Sequence, residues 1–310
     1  MSRSTKSNIP RPARGLASVH VMTPEQQARR FERFGREIGI PGLVEIGRYR
    51  YANAYEGLRL RSHPDGLEIC FLARGQQTYR VNNGIYRLRG GDQYLVFPGE
   101  PHDSAGMPEE KGVLYWIFLK LKPAGQPLLF LDAAASRALR RALLGMRSRH
   151  FAAEPGTREL LEEIFAALKQ PGSGLDRIGA AALVLRYLFS TLRASRRNRR
   201  TAPSSRIQRC LAYIAANPTE LPTVPQLARL VRLSPSRFKA RFREEVGLPP
   251  REHVLRQKLG VAQAELRRRG ATVTAVAHGL GFSSSQYFAT VFRRFTGLTP
   301  SRYQAGGQGR

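Results

Sequence analysis

Cysteine is nearly absent: there are two in 310 residues, Cys70 and Cys210, far apart and without metal-ligand spacing. That excludes a disulfide framework and a zinc finger, and a reducing compartment fits. Long apolar runs are missing too, since no stretch approaches the roughly 18 residues a membrane helix needs. The opening MSRSTKSNIPRPARG is basic but has no apolar core, so it does not read as a secretory leader, and a cytoplasmic protein is expected. There is no Ser-His-Asp set, P-loop or dinucleotide fingerprint, and the GxG-like turns are isolated. Acidic residues are scarce: 23 Asp+Glu stand against 51 Lys+Arg, a net charge of +28. Such a balance points to a polyanion, nucleic acid first and an anionic membrane surface second, with an arginine-decorated surface as the plainer reading.

What is present is organised in blocks. Residues 1–22 are polar, basic and rich in Pro and Ser, and read as a disordered arm. TPEQQARRFERFGREIG, from Thr23, has a cap, a proline at the first helical position and a closing glycine, so it predicts a short helix. From about 42 to 121 the texture is β, with LEICFLARG, QYLVFPGEPH and GVLYWIFLKL as strands and Asn83-Gly84 as a hairpin turn. Short strands closed by Gly or Pro suggest a small barrel or sandwich. Helical spacing follows at 133–149, 157–169 and 175–194, and RIGAAALVLRYLFSTL within the last reads as a core helix or a subunit interface. SRRNRRTAPSSR (195–206) is a charged linker, and everything beyond it is helical.

The helical end is duplicated. LSPSRFKARFREEVGLPP (233–250) aligns with SSSQYFATVFRRFTGLTP (283–300) at an offset of 50, matching Phe238 with Phe288, Phe242 with Phe292 and Arg243 with Arg293. Each copy reads as helix, tight turn, helix. Thr223 and Gln226 form a capping box, Ser234 caps the next helix with Pro235 at its first turn, Thr272 caps in the second copy, and Ser283 or Ser284 caps the last. The paired phenylalanines face the partner helix. The outward faces carry Ser236, Arg237, Lys239, Ala240 and Arg243 in the first copy, and Ser285, Gln286, Ala289, Thr290 and Arg293 in the second. Small and amide side chains near a helix N-terminus suit base edges, and later arginines suit phosphates. A solvated polar face is the bland alternative for a lone helix; two copies on a +28 chain favour DNA. PREHVLRQKLGVAQAELRRRG (250–270), with Leu255, Leu259, Ala262 and Leu266 as its stripe, is a rigid spacer that could hold the two helices roughly 34 Å apart, in successive major grooves.

On these residues the chain resembles the AraC/XylS family of bacterial transcription regulators over about 207–304, most specifically in VAHGLGFSSSQYFATVFRRFTGLTPSRYQ. The resemblance implies a seven-helix domain with two helix-turn-helix units and direct-repeat half-sites. Members commonly carry a base-reading arginine in each recognition helix; those positions are Ala240 and Thr290 here, and Arg241 stands where an apolar residue is usual. Lys239, Arg237 and Gln286 therefore become the expected base contacts.

HPDGLEICFLARG and GGDQYLVFPGEPH resemble the two cupin motifs, with His63, Glu68 and Gly75 in the first and Gly91, Gly99 and His102 in the second. His63, Glu68 and His102 are thus candidate ligands for zinc, iron or manganese. The motif's further histidine is Arg61 here, a cation with no lone pair, so no metal or other cofactor is expected. The alternative implied by AraC-type sensor domains is a small organic effector, held by Arg61, His63, Glu68 and His102 and walled by Tyr79, Tyr86, Tyr115 and Trp116. Ordinary core is the competing reading for each aromatic.

The expected fold is α+β in two domains: a cupin-like β-barrel with a helical dimerisation segment (23–194), then, after the linker, an all-α double helix-turn-helix domain (207–304) and a short tail (305–310). The expected function is a non-enzymatic, sequence-specific transcriptional regulator. Its expected partners are double-stranded DNA, a small-molecule effector, RNA polymerase and a second copy of itself, with no membrane. A metal-dependent cupin enzyme with a DNA-binding tail is the alternative, and a sequence-blind architectural protein the third reading.

Overall fold

The computed structural model describes residues 30–55, 57–122, 125–169, 172–197 and 203–307. The expected arm, the middle of the linker and the last three residues lie outside them.

The first domain is built on β1 (Arg30–Phe34), β2 (Leu43–Tyr51), β3 (Gly66–Arg74), β4 (Gln76–Val81), β5 (Gly84–Arg89), β6 (Asp92–Val96), β7 (His102–Asp103), β8 (Gly112–Lys120) and β9 (His150–Ala152). Six strands form one sheet in the order β1-β2-β8-β3-β6-β9, and three form a second, β5-β4-β7. The central strands read as unbroken apolar runs because both their faces are covered. Along β3, Leu67, Ile69 and Phe71 join one core, while Cys70 and Leu72 join another. Along β8, Tyr115, Ile117 and Leu119 take the first side and Leu114 and Trp116 the second. The first core is capped by α2 (Ala133–Leu144), α3 (Thr157–Ala167) and α4 (Gly174–Arg197). The second is an aromatic layer between the two sheets. No ladder among the described residues closes the two sheets into the expected barrel.

Three local expectations are corrected. Of the helix expected from Thr23, residues 23–29 lie outside the described residues, and the remainder is a strand over Arg30–Phe34 followed by one helical turn, α1 (Gly35–Ile38), that Gly39 ends at φ +63. Pairing of β1 along β2 and the edge contact of Phe31 with Phe165, at 5.3 Å, override the local helical pattern. The hairpin turn is Asn82-Asn83, one residue ahead of Asn-Gly, with Asn82 left-handed at φ +51 and Val81 facing Gly84. The first helical segment stops at Leu144, and β9 follows to pair with β6.

The second domain has seven helices among the described residues: α5 (Ser205–Ala216), α6 (Val224–Leu230), α7 (Pro235–Val246), α8 (Pro250–Leu266), α9 (Val273–Gly279), α10 (Ser285–Thr296) and α11 (Pro300–Gly307). Two cores match the two copies. Ile207, Cys210, Leu227, Phe238 and Phe242 fill the first; Ala277, Phe282, Phe288, Phe292 and Phe295 fill the second. The spacer α8 serves both, giving Val254 to the first and Leu259, Ala262 and Leu266 to the second.

Candidate nucleic-acid interface and sensor site

The helix pairs close in the same way. In the first, Leu233 N–H donates to Ala228 O at 3.0 Å; in the second, Phe282 N–H donates to Ala277 O at 3.0 Å. Thr223 and Gln226 form the full capping box. Ser234 caps α7, Thr272 caps α9, and Ser284 rather than Ser283 caps α10. Gly247 and Gly297 end α7 and α10 at φ +80 and +79. With Phe238, Phe242, Phe288 and Phe292 fully buried, the opposite faces are fixed. Ser236, Arg237, Lys239, Ala240 and Arg243 are exposed on α7; Gln286, Thr290 and Arg293 are exposed on α10, with Ser285 and Ala289 half-buried beside them. Thr290 turns its hydroxyl back to Gln286 O at 3.0 Å.

Arg241 has a different role. Its Nε donates to Glu245 Oε1 at 2.6 Å, and Glu245 also accepts from Ser204 N–H at 2.6 Å and Ser204 Oγ at 3.1 Å. Glu245 ties α7 to the start of α5, and Arg241 steadies it from one helical turn back, a pair that i,i+4 spacing hinted at.

In the first domain Arg61, His63, Glu68 and His102 come together. Residues 61–63 run beside 99–102, with Arg61 N–H to His102 O at 3.0 Å, His102 N–H to Arg61 O at 2.9 Å and Gly99 N–H to His63 O at 2.7 Å. Arg61 Nη2 donates to Glu68 Oε1 at 3.1 Å. Glu68 Oε2 lies 3.3 Å from His102 Nε2 and 3.5 Å from His63 Nε2. Burial alone would raise the Glu68 carboxyl, but its surroundings, the Arg61 guanidinium first, outweigh it and hold the group well below the usual carboxylate range.

His63, Glu68 and His102 lie within 4.8 Å of one another, so the sequence-predicted ligand set is assembled. It does not fit a metal. His102 Nδ1 lies 3.1 Å from Glu100 O, and Arg61 Nε–H donates to His102 Nε2 at 3.1 Å. The guanidinium stands where the ion would be, spending the lone pairs of His102 and Glu68 and adding a like charge.

The aromatic layer extends the site. Trp116 Nε1–H donates to Glu45 Oε1 at 2.6 Å. Its indole crosses Gly47, where a Cβ would fall 1.9 Å from Cζ2. Tyr79 stacks on Tyr94 at 5.2 Å, and Tyr86 lies 5.5 Å from Tyr94. Tyr115 is a correction: it faces the helices, beside Phe165 at 5.7 Å with its hydroxyl on Glu162 at 2.5 Å, because its neighbour Trp116 takes the inner side. Two interior groups were missed, Glu45 and Gln77. The alternation LVEIGRYRY places Glu45 on the face of Tyr49, and QQTYRV places Gln77 on the face of Tyr79. Gln77 Nε2 and Tyr94 Oη are buried with no hydrogen-bond partner among the described residues.

No helix among the described residues is long and apolar enough to cross a membrane. Residues 45–188 match the family of AraC-like ligand binding domains, and residues 227–306 match a helix-turn-helix domain family. The chain is 27% identical to the MmsAB operon regulatory protein of Pseudomonas aeruginosa over 273 residues, covering 84% of this chain and 81% of that protein. It is 23% identical to the arabinose operon regulatory protein of Escherichia coli over 251 residues, covering 78% and 81%. Among solved structures, a DNA-binding transcriptional dual regulator from Escherichia coli K-12 is 28% identical, covering 34% of this chain and 94% of that one, with a TM-score of 0.31. A ligand-binding domain match followed by a double helix-turn-helix, in a chain similar over most of its length to operon regulators, places the protein in the AraC family of DNA-binding transcriptional regulators.

Proposed function

We propose that this regulator is effector-responsive, and that α7 and α10 read two half-sites in successive major grooves of one duplex face. The observation that carries the reading is the shared build of the two helices. Each is capped by serine, anchored by a phenylalanine pair and free on its outward face. On α7 we assign base contacts to Ser236, Arg237, Lys239 and Ala240 and a phosphate contact to Arg243. On α10 we assign Ser285, Gln286, Ala289 and Thr290 to bases and Arg293 to phosphate. Residues 207–304 form the DNA-binding unit and 23–194 the sensor, with 1–22, 195–206 and 305–310 as arm, linker and tail.

The effector site lies between the sheets, around Arg61, His63, Glu68 and His102, with Tyr79, Tyr86 and Trp116 as walls. Two unpartnered interior donors, on Gln77 and Tyr94, support a ligand that accepts hydrogen bonds there. An enzyme built on a cupin metal is disfavoured by Arg61, so the function is binding without catalysis. A cytoplasmic homodimer through α4, which exposes Leu175, Ile178 and Phe189, completes the reading, with RNA polymerase as the downstream partner. A monomer mass by light scattering at micromolar concentration would overturn the dimer.

The test is selection of random duplex DNA by the full-length protein at physiological salt. The expected product is a paired motif with centres about one helical turn apart. Gln286→Ala is expected to relax the preference at one base pair by roughly 1–3 kcal/mol. An unchanged preferred sequence removes Gln286 from the readers, and no motif at all removes sequence-specific reading.

A further inference from the structure

The two domains meet along one edge, and the contact engages the DNA-binding domain at three points. The first is the spacer. Lys111 Nζ lies 2.7 Å from Glu252 Oε2, Arg256 Nη2 lies 3.2 Å from Glu252 Oε1, and Arg256 also pairs with Glu110. Lys111, Glu252 and Arg256 keep only 8, 8 and 11% of their side-chain surface exposed. Phe295 of α10 takes both cations over its ring, with Lys111 Nζ at 4.9 Å and Arg256 Cζ at 5.0 Å from the centroid.

The second point is the end of α10. Ala54 N–H donates to Arg294 O at 2.8 Å, satisfying one of the carbonyls a helix end leaves open. Arg294 Nε in turn donates to Ala52 O at 3.3 Å. The third point is the end of α7. The β5–β6 turn approaches so closely that a Cβ on Gly90 would fall 2.4 Å from Gly247 O. Both proposed recognition helices and the spacer between them are therefore touched by the first domain, and Arg294 Nε is engaged by Ala52 O.

One side chain that links the contact to the interior of the first domain is Gln77. Gln77 Oε1 accepts from Glu110 N–H at 3.0 Å, so it positions the turn that carries both Glu110 and Lys111. The other end of the same amide, Nε2, faces the interior without a partner among the described residues. A ligand acceptor that binds Nε2 pulls on an amide whose oxygen holds the Glu110 N–H of that turn.

We propose that the Glu110–Lys111 turn is an autoinhibitory latch on α8 and the ends of α7 and α10, and that Gln77 is the side chain through which a ligand between the sheets releases it. The proposal rests on the effector-responsive reading above and specifies its regulation. Ionic contacts suit a latch. A buried ion pair repays its desolvation only in good geometry, so a small displacement cancels its benefit where an apolar interface would persist. Opening frees the spacer to adjust to the DNA and returns Arg294 to the phosphates.

The experiment uses the full-length chain without effector, on the paired site obtained by selection. Lys111→Met, on the sensor side, and Glu252→Gln, on the DNA-binding side, are each expected to tighten binding about fivefold or more, the range of allosteric coupling. The double variant should add nothing further, because both changes open the same latch. Gln77→Leu, which removes the acceptor for Glu110 N–H, should move affinity in the same direction. Affinities within twofold of the parent, or weaker, overturn the latch while leaving DNA reading intact. Hydrogen exchange at the Ala54 amide gives a readout that needs no DNA. It should be protected in the parent and exchange at least about tenfold faster in Lys111→Met. An Ala54 amide that is unprotected in the parent overturns the latch whatever the DNA selection finds.

Discussion

Arg61 decides what the His63–Glu68–His102 cluster can hold. One substitution in a motif otherwise suited to an ion replaces a ligand by a fixed cation, and the neighbours adapt to it: Glu68 stays ionised and His102 spends its lone pair on Arg61 Nε–H. Glu68→Gln tests how much the arrangement contributes, because it leaves a guanidinium with 30% of its side-chain surface exposed facing a neutral amide. Breaking a buried pair from one side costs about 3–5 kcal/mol, and this exposure brings the expected loss to about 2–3 kcal/mol. The chain's single tryptophan, Trp116, lies in the same layer, so denaturation followed by its fluorescence reports the sensor domain alone. Glu45 behaves in the opposite sense. Burial pushes its carboxyl up, against the Trp116 N–H bond and with Glu32 and Glu68 adding to the rise. The folded state then binds more protons than the unfolded one between the unfolded value and the raised one. Stability from this group is present below that window and is lost as pH rises through it. Glu45→Gln keeps the acceptor for Trp116 and removes the loss. The variant's advantage in denaturation midpoint should be absent near pH 4, grow as pH rises through the window and then level off.

At the scale of elements, the sequence made the helix pairs legible and left their joint hidden. Caps, turns and phenylalanine spacing are local, so Thr223, Ser234, Thr272 and the offset of 50 located both units. The strand at Arg30–Phe34 was not legible, since its partner β2 is what makes it extended. Nor was the first turn, which sets Arg232 at φ +53 where the second copy has Gly281 at φ +67. In the first domain, strand alternation locates the inner residues, and it sets Tyr115 on the face opposite its neighbour Trp116. The joint is Lys258. It is an unremarkable position on the spacer in sequence, yet it is 1% exposed. Its ammonium donates to Thr219 O at 2.7 Å, before the first pair, and to Leu280 O, in the turn of the second. One buried cation thus holds the two units together. Lys258→Met keeps the stem and strips two carbonyls of their donor, at a cost of about 2–3 kcal/mol in thermal or chemical denaturation. Affinity for an isolated half-site should persist while tolerance to changed half-site spacing widens. Spacing tolerance identical to the parent's would show that apolar packing on α8 alone sets the register.

At the scale of the whole molecule, net charge and specific reading make different demands on the same experiment. A net charge of +28 draws any duplex, and counterion release makes that attraction fall steeply with salt. Sequence-blind binding would show the same steep fall, so a strong salt dependence alone says nothing about reading. The two contributions separate by residue. Arg243 and Arg293 stand at matched, exposed positions late on α7 and α10, past the small residues at the helix starts. If each neutralises one phosphate, replacing either by alanine lowers the slope of log affinity against log salt by about 0.9, and replacing both lowers it by about 1.8. The preferred sequence should not change in these variants, because phosphate contacts fix register without reporting base identity. Gln286→Ala should do the reverse, changing the preferred base and leaving the slope alone. Titrations of these variants across about 50–200 mM salt, on the selected site and on a scrambled one, therefore form a single test. Equal slope losses on both DNAs with no change in discrimination fit the arginines as phosphate anchors. A slope that survives both substitutions moves the electrostatic footprint off the recognition helices, to the other cations of this strongly basic chain.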